Sequence, residues 1–149
     1  MIRTLRLLAG LRNCERGSAV IEFAVIGPTV CALMVAVVQV GMAAQAYNAL
    51  RSASADAARY AVVEYQNERE PTDAEIETEA EDIATSAPYF LDEDRLTLDV
   101  DTALVQTIDG AIEMTITATY TPPLVLPLID FDPPEMTYTR PIYVLDPDA

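Results

Sequence analysis

The sequence Arg16-Gly17-Ser18-Ala19-Val20-Ile21-Glu22-Phe23-Ala24-Val25-Ile26-Gly27-Pro28-Thr29-Val30-Cys31-Ala32-Leu33-Met34-Val35-Ala36-Val37-Val38-Gln39-Val40 holds the dominant apolar run of this 149-residue chain. From Ala19 to Val40 its only ionisable member is Glu22. At a helical rise of about 1.5 Å per residue that run is roughly 33 Å long. The hydrocarbon core of a bilayer is about 30 Å thick, so the length predicts a spanning helix rather than a buried core helix. Pro28 would cost about 3 kcal/mol inside a soluble helix, and membrane helices tolerate it because neighbours satisfy the freed carbonyl. Glu22 is the sharper anomaly, an acid a few residues inside an apolar run, where charge is expensive. It reads either as a snorkelling interfacial acid or as an acid that waits for a cationic partner.

Charge is distributed unevenly around this run. All nine basic residues are arginines, against 24 acids and no histidine, for a formal net charge of −15. Residues 1–17 carry four arginines against Glu15, and residues 41–149 carry five arginines against 22 acids. The positive-inside rule therefore puts the N-terminus in the cytoplasm and the acidic remainder outside. A domain this acidic repels phosphate backbones, which argues against nucleic acid as a partner. Cys14 and Cys31 both precede the acidic region, so its core must hold without disulfides. Leu11-Arg12-Asn13 is not a lipidation context for Cys14. A cleaved secretory signal is the plainer alternative, with Met42-Ala43-Ala44 or Ala44-Gln45-Ala46 as small-residue sites. The apolar run is longer than such signals use, and Glu22 would serve no purpose there.

Beyond the run the pattern predicts an α+β architecture. The helix should continue to about Gln66, because Tyr47, Leu50, Ala57, Ala58, Ala61, Val62 and Tyr65 recur at three- and four-residue spacings. That apolar stripe should pack the outer domain against the helix, and its small residues allow close approach. Pro71 ends it, and Thr72-Asp73-Ala74-Glu75 reads as a capping box. The short second helix carries Ile76, Ala80, Ile83 and Ala84 on one side and ends before Pro88. Leu96–Val100 and Ile112–Tyr120 alternate with period two, as antiparallel strands with one wet face do, and Thr137–Leu145 reads as a last strand. Asp109-Gly110 suggests a turn, and Pro141 suggests that the last strand lies at an edge. Between strands two and three, the proline-rich segment should bury Leu124, Leu126, Leu128 and Phe131. The expected fold is a long membrane-spanning helix continuing outside, a short helix, and a small antiparallel sheet of about three to four strands.

Catalytic chemistry has little to work with. The chain lacks the commonest general base and metal ligand, histidine, and the Schiff-base residue, lysine. No glycine-rich phosphate loop is present, and no cofactor or metal is expected. Asp92-Glu93-Asp94 and Asp99-x-Asp101 could attract calcium, but they lack the glycine and terminal glutamate of an EF-hand loop. A solvated acidic face is the simpler reading, and an enzyme is not expected.

Arg16 to Ala24 resembles the processing site of type IV prepilins, and most closely that of the TadE-like pseudopilins. The stretch from Tyr47 to Val63, with its Ala-Ala-Arg-x-Ala, is similar to the segment that follows the TadE membrane helix. The resemblance covers roughly 30% of the chain and leaves TadE-like and TadF-like members unseparated. It implies a cut by a prepilin peptidase between Gly17 and Ser18. Glu22 would become the fifth mature residue, with Phe23 and the early Pro28 beside it in the assembly segment. Independently of the family, a cut after Gly17 creates an α-amino group within one helical turn of Glu22. The amine of one subunit can then pair with the glutamate of a neighbour and fix their axial register. The implied partners are the inner membrane, the peptidase and other pilin-like subunits, namely the major Flp pilin and other Tad pseudopilins. The implied location is single-pass in a bacterial inner membrane, with a periplasmic domain and incorporation into an extracellular pilus as a further possibility. The expected divisions are a leader at 1–17, the helix at 18–66 and the acidic α+β domain at 67–149. Two other readings stand beside this one: a membrane-anchored acidic binding module, such as a calcium-dependent adhesin, and a domain secreted after signal-peptidase cleavage.

Overall fold

The structure is a computed structural model that describes residues 16–124 and 133–146, with side chains described from residue 19. Helix α1 runs Arg16–Gln66 and includes Pro28, and helix α2 runs Asp73–Thr85. A short 3-10 turn, Glu93–Arg95, leads into strand β1 (Leu96–Thr102), followed by β2 (Ala111–Tyr120) and β3 (Met136–Leu145). The three strands form one antiparallel sheet in the order β1-β2-β3. The chain divides into two compact units, Met1–Gln39 and Val40–Ala149.

The second unit is an α+β layer, as the sequence pattern predicts. Alternate residues of every strand face the helices: Leu96 and Val100, then Met114, Ile116, Ala118 and Tyr120, then Ile142 and Val144 are all buried. From α1 come Leu50, Ala53, Ala57, Ala58 and Ala61, and from α2 come Ile76, Ala80 and Ala84. These residues form two contiguous clusters. One gathers Leu50, Ala53, Leu91, Leu96, Ala118 and Tyr120. The other gathers Ala57, Ala61, Val100, Met114, Ile116 and Val144. As α1 advances from Leu50 to Tyr65, the strand β2 residues it meets retreat from Tyr120 to Ile112. We call the Leu50–Tyr120 end of this unit its near end and the Tyr65–Ile112 end its far end.

Helix α2 starts where the capping box predicts. The Thr72 amide donates to Glu75 Oε2 at 2.8 Å, and the Glu75 amide donates to Thr72 Oγ1 at 3.4 Å. The Thr72 amide bond first, and then the Thr72 hydroxyl donating to the same oxygen at 3.0 Å, hold the Glu75 carboxyl below its ordinary pKa. The helix ends at Ser86, ahead of Pro88. The Asp109-Gly110 turn is also present, with Gly110 at φ 76°, a conformation that costs a β-carbon-bearing residue about 1 kcal/mol or more.

Both sheet edges follow from the register. Ala103 N donates to Glu113 O and Thr121 N to Arg95 O, so the odd-numbered residues of β1 bond to β2 and the even-numbered ones point outward. On that edge the outward Val100 amide donates to Glu77 Oε1 of α2 at 2.9 Å, and the Thr102 hydroxyl bonds Asp73 Oδ1 at 2.6 Å. Asp146 N donates to Gly110 O, so on β3 the even-numbered residues face β2 and Pro141 faces outward. The proline thus sits on an edge, where its missing N–H removes no ladder bond. Of the residues expected to be buried between β2 and β3, Leu124 is half-buried, and Leu126, Leu128 and Phe131 lie outside the described residues.

Ile116 has no exposed surface. Ile116→Ala should therefore lower unfolding free energy by about 3 kcal/mol. Ala57, equally buried, should lose about 2 kcal/mol on Ala57→Leu through overpacking. Thermal and denaturant melts of the full chain in detergent check both values.

Candidate functional site

The candidate site begins in the first turns of α1. Gly17 and Ser18 lie in its first turn, and Glu22 is an exposed residue one turn later. Phe23 is 78% exposed, and its ring lies against Gly27, where an added β-carbon would stand 3.8 Å from Phe23 Cε1 and Cζ. Pro28 removes the amide that would bond the Ala24 carbonyl. One residue on, the Thr29 hydroxyl donates to the Val25 carbonyl at 3.2 Å, the back-bonding that membrane helices use near a proline. From Val20 to Val40 the large apolar side chains stand mostly exposed, Val37 at 72% among them. A helix apolar on all sides needs lipid or other helices around it. Among the described residues, α1 is the one helix long and apolar enough to cross a membrane.

The helix-packing residues belong to the second unit. Leu50, Ala57, Ala58 and Ala61 are buried, Val62 is half-buried, and Tyr47 is 40% exposed with its ring edge-on to Tyr138 at 6.3 Å between centroids. Sequence spacing did not single out Ser54, which is buried and donates its hydroxyl to the Leu50 carbonyl at 2.7 Å. That self-contained bond is what lets a polar side chain join an alanine-rich face.

Asp56, on α1, ties two elements together. Tyr89, in the segment after α2, donates its hydroxyl to Asp56 Oδ2 at 2.6 Å, while Arg59 Nη1 lies 3.1 Å from Asp56 Oδ1. The hydrogen bond to Asp56, aided by desolvation, raises the Tyr89 pKa above its ordinary value. No local sequence pattern links residues 33 positions apart, so the pairing was not legible beforehand. The suggested calcium ligands do other things. Asp92 caps the 3-10 turn, with Oδ1 accepting from Asp94 N at 3.3 Å and Oδ2 from Arg95 Nε at 3.2 Å. Asp99 and Asp101 stand on the exposed side of β1. Among the described residues, no group of three or more histidine, cysteine, aspartate or glutamate side chains is arranged to hold a metal ion.

The segment that joins the Gly17–Glu22 turn to the packed alanine face is also the segment that matches a known family. Residues 17–59 are TadE-like. They match the family model described as TadE-like protein. No curated protein and no solved structure matches the chain. The TadE-like segment starts at Gly17, spans the apolar run and ends at Arg59, within the stretch of α1 that contributes to the core of the second unit.

Because the folded pKa of Tyr89 is raised, its bond to Asp56 stabilises the fold below the ordinary tyrosine pKa near 10. That contribution is lost as pH rises through the raised value. Tyr89→Phe should cost about 0.5 kcal/mol at neutral pH, the low end for a partly exposed bond. It should also flatten the fall in melting temperature between about pH 9 and 11, read by paired melts of wild type and variant.

Proposed function

We propose that this chain is a minor pilin-like subunit, a pseudopilin, for assembly of a Tad/Flp-type pilus, cut by a prepilin peptidase between Gly17 and Ser18. Residues 1–17 serve as a basic cytoplasmic leader. Residues 18–66 span the inner membrane and extend beyond it, and residues 67–149 complete an acidic periplasmic domain. The observation that carries this reading is the extent of the TadE-like match, which begins at Gly17, includes Glu22 and continues through the buried alanines of α1. The leader's four arginines and the acidic remainder support the orientation.

The work assigned to the chain is assembly. The apolar surface of α1 is stable in lipid and equally stable among other apolar helices, so transfer from bilayer to a helical bundle is thermodynamically accessible. What apolar packing alone does not supply is register, because a helix can slide past a neighbour with little change in buried area. Glu22 supplies it. Paired with the α-amino group at Ser18 of an adjacent subunit, its charge gains that cationic partner at one axial offset and not at others. Phe23 and Pro28 lie in the same stretch of helix, where the ring and the kink-prone backbone shape the surface offered to that neighbour.

The test separates processing from assembly. In cells carrying the peptidase, Glu22→Ala should still be cut, as read by the mass of the membrane-bound product. Pilus yield should fall at least about tenfold, since removing one partner of a buried pair costs about 3–5 kcal/mol. Full piliation by Glu22→Ala would sink the ion-pair account, and loss of cutting would show that Glu22 acts in peptidase recognition instead.

A further inference from the structure

The far end of the second unit carries an apolar tip that the assembly reading does not use. Among the described residues outside α1, five of the six large hydrophobic residues left exposed lie there: Leu104, Val105, Ile108, Tyr143 and Leu145, with Phe90 the exception. Leu104 is 101% exposed, Val105 82% and Leu145 83%. Leu104, Val105 and Ile108 sit in the β1–β2 connection, residues 103–110. Leu145 pairs with Ala111 beside them, and Tyr143 pairs with Glu113. Large apolar side chains presented together on a soluble surface mark an interaction site.

The tip is organised rather than slack. Glu113 Oε1 accepts from both the Thr107 and Ile108 amides, at 2.7 and 2.8 Å. Gln106 Oε1 accepts from the Glu113 amide at 2.6 Å, and Gln106 Nε2 donates to the Ala103 carbonyl at 2.8 Å. Ala111 N and Asp146 N close the base of the loop through Ile108 O and Gly110 O. One carboxylate therefore holds the loop in a shape that turns its leucine and valine outward, and a partner meeting it need not order it first.

Charge selects the partner. Asp101, Asp109 and Asp146 adjoin the tip in sequence, and Asp73 is bonded to Thr102 at its base. The sequence holds no arginine from 96 to 139 or from 141 to 149. Such a rim repels anionic lipid and repels a second copy of the same tip. We propose that residues 103–110, with Leu145, form a docking tip for another protein that offers an apolar pocket ringed by arginine or lysine.

A photoreactive phenylalanine analogue placed at Leu145 of the full chain, in its native membrane, tests this. The expected result is a discrete protein adduct whose cross-linked peptide maps to an apolar pocket flanked by basic residues. Its yield should fall about tenfold with Leu104→Ser plus Val105→Ser, as it does when central interface residues are lost. The yield should also decline as salt screens the rim. Both side chains are solvent-exposed, so the double variant should melt like wild type, which separates lost docking from lost folding. The proposal is overturned by any of four results: no adduct above that of a control probe at Thr139, a lipid adduct, an adduct of the chain with itself, or a protein adduct indifferent to the serine substitutions.

Discussion

The packing of α1 into the core beneath the sheet is the contact on which the second unit depends. Ala53, Ala57, Ala58 and Ala61 bring only methyl groups to the core, where they share clusters with Met114, Ile116 and Ala118. Both core clusters draw on α1, one through Leu50 and Ala53 and the other through Ala57 and Ala61. Without this helix, a three-stranded sheet and a 13-residue α2 would share too little apolar surface to pay for ordering them. The same helix continues in sequence into the apolar run, so the element that completes the fold is also the one long and apolar enough to cross a bilayer.

Acids outnumber every other charged group outside the apolar run, and the structure gives several of them structural work. Glu77 covers the outward amide of Val100, Asp73 holds Thr102, Asp56 receives Tyr89, and Glu113 gathers the amides of the β1–β2 connection. Each is a charge-assisted hydrogen bond between parts of the chain distant in sequence or otherwise unpaired. They cross-link parts of the fold that carries no cysteine after Cys31. The arrangement also closes the β1 edge, while on the β3 edge Pro141 interrupts the outward row of donors. Single-sign charge and blunted edges together disfavour sheet-to-sheet association between copies.

Much of this was legible in the sequence because it rests on local periodicity. The alternation from Ile112 to Tyr120 fixed a strand and its buried face, the Thr72–Glu75 spacing fixed a helix start, and Pro141 pointed to an edge. The end of α1 at Gln66 followed from the spacing of its apolar residues and from Pro71. Pairings across the fold were not legible: nothing near Asp56 announces Tyr89, and nothing near Glu77 announces Val100. Ser54 was hidden for another reason, since a serine in an apolar stripe reads as a gap until its hydroxyl is seen bonded to its own helix. For the candidate site, Glu22 and Pro28 stood out because each breaks the pattern of a plain membrane anchor, while Gly17 and Phe23 were named through the resemblance to a prepilin processing site. The exposed tip at Leu104 and Val105 escaped notice because a short apolar pair between strands is indistinguishable in sequence from a buried loop.

The central claim is that α1 stays whole from Ser18 to Gln66, serving at once as membrane segment and as the spine of the outer core. Intact mass and N-terminal sequencing of the protein recovered from cells that carry the peptidase test it most directly. The account predicts a chain that begins at Ser18 and remains in the membrane fraction. A soluble chain beginning near Gln45 or Tyr47 would contradict it, because the helix would then have been severed between its two roles.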